Sequence, residues 1–178
     1  MKRFLQTRSD IAFNLEFPTV DMVTIKDIAT SLAYTNRFNG HTGTTYSVAE
    51  HSVLVSRKCR EENKMWGLLH DAAEAYTGDI ISPLKKLVPQ FSAVEKRIMK
   101  VICEKFELDL FQPKEIGKVD LRMLATERLK FFPTAPMDWS LKSKPYDDVE
   151  ILCLPAEKAK TMFLTEFFLL RKNMLEAV

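Results

Sequence analysis

Three histidines, His41, His51 and His70, fall within thirty residues of one another, and two of them stand beside acids. His51 follows Glu50; His70 is followed at once by Asp71 and then by Glu74. In a continuous helix Glu74 sits one turn beyond His70 and three residues beyond Asp71, so LLHDAAEAYTGD sets an imidazole and two carboxylates along one end of one helix. The neighbouring alanines are small and leave room for a ligand. Imidazole and carboxylate together suit a borderline or hard divalent cation. A second helix can bring His51 across and a third can add a carboxylate, because a bundle core builds metal sites from side chains on facing helices.

Those side chains need helices to carry them. The chain has only five glycines, none in a phosphate-binding loop or dinucleotide fingerprint, and long apolar runs at helical spacing. Thr24 caps a helix over Ile25 to about Tyr34, with Asp27 in its first turn. The stretch RFNGHTGTT (37–45) reads as a loop. Ser47 and Glu50 form a capping-box pattern that opens a helix to about Arg60 and puts His51 in its first turns. A third helix is expected over Lys64 to Tyr76, broken by Thr77-Gly78-Asp79. Ser82-Pro83 starts a short helix; Ser92 and Glu95 form a second capping box at the head of a long helix through Phe106. Pro113 opens a helix to about Phe132 that contains Asp120. Prolines mark 133–150 as an irregular loop, and a C-terminal helix over 155–175 buries Ala159, Met162, Phe163, Phe167 and Leu170. The expected fold is an all-α, single-domain helical bundle over 1–178, its core about 25–132, with strands only a minor alternative.

Composition narrows the function classes. The chain has 178 residues, 46% hydrophobic and 28% charged, with 26 Lys+Arg against 24 Asp+Glu for a net charge of +2. That is long enough for a core without disulfides and too evenly charged for a partner such as a long nucleic acid. Cys59, Cys103 and Cys153 are dispersed and odd in number, as for reduced thiols. The N-terminus lacks an apolar h-region, and MFLTEFFLL is too short to span a membrane and contains Glu166. A soluble, cytoplasmic protein is expected.

Taken together, SVAEHS (47–52), LLHDAAEAYTGDI (68–80) and GKVDLRML (117–124) resemble the HD-domain metal-dependent phosphohydrolases, whose signature order is H…HD…D. The run HDAxExxTGDxxxPxK, from His70 to Lys85, is similar to the small single-domain branch of bacterial 5′-deoxynucleotidases and to phage deoxynucleoside triphosphate hydrolases of comparable size. TNRFNGHTGTTYSVAEHS resembles the loop leading to that family's first metal histidine. The likeness runs from about residue 25 to 130.

The resemblance implies an HD-type bundle in which His51, His70, Asp71 and Asp120 hold one divalent ion (Co, Mn, Zn or Mg), with room for a second. It implies Glu74 as the group that orients or deprotonates water or protonates the leaving oxygen, Asp79 as its helper near the sugar, and Arg37 as the phosphate fork. Phe38 stands where the deoxynucleotidases carry tryptophan beside the sugar, a smaller apolar wall. His41 is a candidate phosphate donor with an ordinary loop histidine as its alternative, and Lys85 matches the motif. The implied substrate is a small nucleotide and the activity 5′-phosphate removal from deoxynucleoside monophosphates. The alternatives are triphosphate release from a deoxynucleoside triphosphate such as dATP, which needs extra cations drawn from His41, Lys85, Lys86 and Arg122, phosphodiester cleavage, and a non-catalytic nucleotide-binding module. Relatives of this kind are usually homo-oligomers.

Overall fold

The computed structural model describes residues 4–134 and 136–176. It is mostly helical, with one small β-hairpin formed by β1 (Phe4–Gln6) and β2 (Ala12–Asn14), paired antiparallel with Leu5 opposite Phe13. The hairpin is the main departure from an all-α reading. Strands of three residues are too short to show a period of two, yet Phe13 is fully buried and stacks on Tyr76 with ring centroids 3.8 Å apart.

Helix α1 (Ile25–Tyr34) begins where Thr24 accepts the Asp27 amide, and α2 (Val48–Lys58) where Ser47 accepts the Glu50 amide. The Glu50 half of the predicted capping box is absent. Its carboxylate instead accepts the backbone amides of Leu152, Cys153 and Leu154 at 2.7, 3.1 and 2.8 Å. Three backbone donors outcompete one cap amide for a buried carboxylate.

The predicted helix over Lys64 to Tyr76 is broken in two: α3 (Lys64–Leu69) and α4 (Glu74–Thr77). Between them the backbone tightens to bonds spanning three residues, Ala72 to Leu69, Glu74 to Asp71 and Ala75 to Ala72. His70 Nδ1 occupies the Gly67 carbonyl at 2.7 Å, the acceptor that the next α-turn would have used. The i,i+4 relation expected between His70 and Glu74 is therefore replaced by a tighter turn.

Helix α5 (Ser82–Leu87) starts at the predicted cap residue itself, one residue early, with Ile81 in the cap position and Pro83 in its first turn. Helix α6 (Gln90–Phe106) starts before Ser92, because Pro89 already has helical dihedrals; the second capping box does not form, and Glu95 pairs with Lys85 instead. Helices α7 (Lys114–Phe131) and α8 (Ala156–Glu176) lie close to expectation. Ala159, Phe163, Phe167 and Leu170 of α8 are buried, whereas Met162 is only partly so.

Helix α2 is the centre of the packing and touches α1, α3, α7 and α8. One buried cluster joins α1, α2, α3 and α8; a second joins Val55 and Trp66 to Ile116, Val119 and Met123 of α7. Gly67 lets α3 approach α2 closely: a Cβ there would stand 2.8 Å from Cys59 Sγ and 3.0 Å from Ser56 Cα. The irregular segment after α7 is tied down by Arg122, which donates to the Lys144 and Pro145 carbonyls and lies 3.9 Å over the Tyr146 ring. Among the described residues no helix is long and apolar enough to cross a membrane.

Candidate metal centre

His51 is held in the first turn of α2 and is fully buried. His70, at the end of α3, has a side chain only 5% exposed. The close helix approach at Gly67 leaves the two imidazole centroids 5.3 Å apart. Asp71 follows in the tight turn, and α7 contributes Asp120. His51 Nε2 lies 3.2 Å from Asp120 Oδ1 and 3.6 Å from Asp71 Oδ2; His70 Nε2 lies 3.3 Å from Asp71 Oδ2 and 3.9 Å from Asp120 Oδ1. One ligand atom each from His51, His70 and Asp120 falls within 4.8 Å of the others. The four predicted ligands thus converge from α2, the α3–α4 turn and α7.

Both imidazoles are oriented by their other nitrogen. His51 Nδ1 donates to Glu127 Oε1 at 2.6 Å and His70 Nδ1 donates to the Gly67 carbonyl at 2.7 Å. That turns both Nε2 atoms toward the acids, where they are buried without hydrogen-bond partners. Buried polar atoms of native proteins are rarely left so, and two inward-facing imidazole nitrogens beside two carboxylates are the donor set of a divalent ion. The residues fit such an ion.

The electrostatics agree. Burial would push the His70 pKa down, but Asp71, Asp120 and the Gly67 carbonyl outweigh it and raise it to about 9. Burial would likewise raise the Asp71 and Asp120 carboxyls, yet the histidines, with Arg37 at Asp71, hold both below the usual range. The cluster favours positive charge.

Glu74 stands apart from the ligands. Its Oε1 meets Lys85 at 3.2 Å, and its Oε2 is buried without a partner. Burial, then the charges of Asp71 and Asp79, push its carboxyl well above the normal range despite Lys85 and Arg37. Asp79, just past Gly78, is also raised, chiefly by burial.

Arg37 is delivered by a pinched loop. Asn36 bridges to Ser47, the Arg37 amide donates to the Tyr46 carbonyl, and the Val48 amide donates to the Thr35 carbonyl. The guanidinium bonds Glu127 at 2.9 Å, lies 3.7 Å from Asp71, and keeps its buried Nε free of any hydrogen bond. Phe38 and Asn39 then adopt left-handed dihedrals, φ 55° and 50°, an uncommon conformation for a phenylalanine. It places the Phe38 ring 5.3 Å from Phe132 and 6.1 Å from Trp139.

Two candidates behave differently from the rest. His41 is exposed in the following turn and shares no hydrogen bond or ion pair with the cluster among the described residues. Lys85 is committed to Glu74 and Glu95. The sequence reading missed Glu127, which joins His51, Arg37 and Tyr46. It lies seven residues after Asp120, two turns along the same face of α7, and that spacing was the available signal. Two surface cavities, of about 550 and 620 Å³, are lined by other residues, around Trp66 and Leu170 and around Phe17 and Arg97.

No family model matches the chain. Over 125 residues it is 42% identical to the protein named "Uncharacterized protein YfdR" of Escherichia coli K12, a match covering 70% of each chain. Over 111 residues it is 35% identical to "Uncharacterized protein RCAP_rcc00048" of Rhodobacter capsulatus, a match covering 57% of each chain.

Proposed function

For this chain, which belongs to the family of the Escherichia coli protein YfdR, we propose a divalent-metal-dependent phosphohydrolase of the HD-domain type that removes the 5′-phosphate from 2′-deoxynucleoside monophosphates. The observation that carries the reading is the convergence of the buried Nε2 atoms of His51 and His70, neither of them in a well-formed hydrogen bond, on the carboxylates of Asp71 and Asp120. An ion held by these four residues supplies Lewis-acid polarisation of a phosphoryl oxygen and acidifies a water.

The chain's own residues do the remainder. Arg37 offers its free Nε and the outer part of its fork to the phosphate. Glu74 keeps a buried carboxyl of raised proton affinity beside the cluster. It takes the proton from the attacking water or returns one to O5′ as the P–O5′ bond breaks, giving nucleoside and phosphate. Asp79 sits within the field of Arg37 and Asp71 and orients the water or sugar. Phe38, backed by Phe132 and Trp139, walls the sugar side.

One observation favours this over triphosphate release. That reaction needs further cations, and two of those available are committed: Lys85 to Glu74 and Glu95, Arg122 to the Lys144 and Pro145 carbonyls. The test is a panel of deoxy- and ribonucleotides at mono-, di- and triphosphate level with Mn²⁺, Co²⁺, Zn²⁺ and Mg²⁺, read by product identity. Orthophosphate from deoxynucleoside monophosphates is expected. Intact tripolyphosphate would favour the alternative, and no turnover with any metal would leave a nucleotide-binding module.

A further inference from the structure

Glu127 is fully buried, and a folded chain sustains a buried carboxylate only when each oxygen is paired. The pairing is divided between two functions. Oε1 accepts from His51 Nδ1 and from the Tyr46 hydroxyl, both at 2.6 Å, and Oε2 accepts from Arg37 at 2.9 Å. The His51 bond keeps the proton on Nδ1 and so leaves the Nε2 lone pair directed at Asp71 and Asp120. The Arg37 bond holds the guanidinium beside the same acids with Nε unused.

We propose that Glu127 is a positioning residue that sets the ligating nitrogen of His51 and the anion-binding fork of Arg37 through one carboxylate, so that cation binding and phosphate binding at this site depend on the same side chain. The inference rests on the metal reading above. A carboxylate behind a ligating imidazole fixes its tautomer and raises its basicity, and losing such a partner typically weakens metal binding by about 10–100-fold. Here the same group also serves the phosphate arm.

The experiment measures Co²⁺ binding to the full chain by calorimetry and by the Co²⁺ visible spectrum, then inorganic phosphate binding to the Co²⁺-loaded chain, with thermal melts alongside. Glu127→Gln is nearly isosteric, but its amide must turn a donor toward either His51 or Arg37. The expected result is a folded variant with Co²⁺ binding weakened by about 10–100-fold and phosphate binding weakened with it, because the charge is lost to both arms whichever way the amide turns; loss of one alone overturns the shared dependence. Tyr46→Phe removes the third bond while touching neither His51 nor Arg37 and should bind Co²⁺ as the wild type does. Glu127→Asp, which keeps the charge but withdraws it by a methylene, should bind more tightly than Glu127→Gln and less tightly than wild type; it carries the test if the amide variant does not fold. Wild-type affinity for both probes in a folded Glu127→Gln or Glu127→Asp variant overturns the inference alone. Equal losses in Tyr46→Phe and Glu127→Gln reduce Glu127 to a structural anion and overturn it too. Failure of the wild type to bind Co²⁺ overturns the metal reading and the inference with it.

Discussion

Lys85 reaches back from α5 to place its ammonium 3.2 Å from Glu74 Oε1, while Glu95 of α6 holds the same ammonium at 2.9 Å. The lysine therefore fixes one oxygen of Glu74 and leaves the other buried and unpartnered. Lys85→Met keeps the stem and deletes the bond. If Glu74 moves the proton, the variant should lose about 10–100-fold in kcat with a much smaller change in KM, the signature of a displaced reacting group rather than lost binding. A raised KM at unchanged kcat would instead make Lys85 a phosphate contact.

Gly67 sets the spacing of the two histidines. An alanine there would drive its methyl into Cys59 Sγ and the Ser56 backbone, at 2.8 and 3.0 Å, and the backbone cannot yield as a flexible side chain would. Gly67→Ala should cost about 1–3 kcal/mol of stability, the usual range for overpacking, seen as a lower melting temperature. It should also weaken Co²⁺ binding, because α3 carries His70 away from His51. Wild-type melting in the variant would mean that the two helices part without cost.

What the sequence made legible follows from how local each determinant is. Thr24 and Ser47 announce α1 and α2 because a cap is a contact with a backbone amide three residues on. The metal-ligand candidates were legible as residue types in a known order. The break after Leu69 was not, since it turns on the His70 side chain capturing the Gly67 carbonyl, a choice made by the assembled site and not by propensity. Ser92 failed as a cap because Pro89 starts α6 earlier. Glu127 reads as an ordinary helical acid and Glu50 as the acid of a capping box; only the tertiary structure supplies the donors that make each a hub. The hairpin escaped for the opposite reason, being too short to show its period.

Loading the site with a divalent ion should stabilise the fold. An ion that binds only the native state at one hundred times its Kd adds about 2.7 kcal/mol, which for a chain of this size is roughly 5–10 °C in melting temperature. Mn²⁺ or Co²⁺ added to chelator-stripped protein should raise Tm by that order, and chelation should abolish the proposed phosphatase activity. His51→Ala and His70→Ala should each remove the shift. An equal shift in both variants would place the binding elsewhere.

Glu50 makes the most specific stability prediction. Its carboxylate is buried beside His51 and gathers three successive backbone amides, Leu152, Cys153 and Leu154, with Cys153 bent into a left-handed turn at φ 57° to present its amide. Charged acceptors make the stronger hydrogen bonds, and an amide in the same place must aim one donor at a donor. Glu50→Gln should therefore lower stability by about 1–3 kcal/mol, the cost of a buried group left unsatisfied. The loss should be uneven. Hydrogen exchange across Leu152, Cys153 and Leu154 should accelerate beyond the global change, because a single accepting oxygen is left for three amides while α8, anchored through Phe163 and Phe167, keeps its core contacts. A uniform acceleration across α2 and α8 would show that Glu50 supports the whole bundle and does not merely clasp the segment that leads into its last helix.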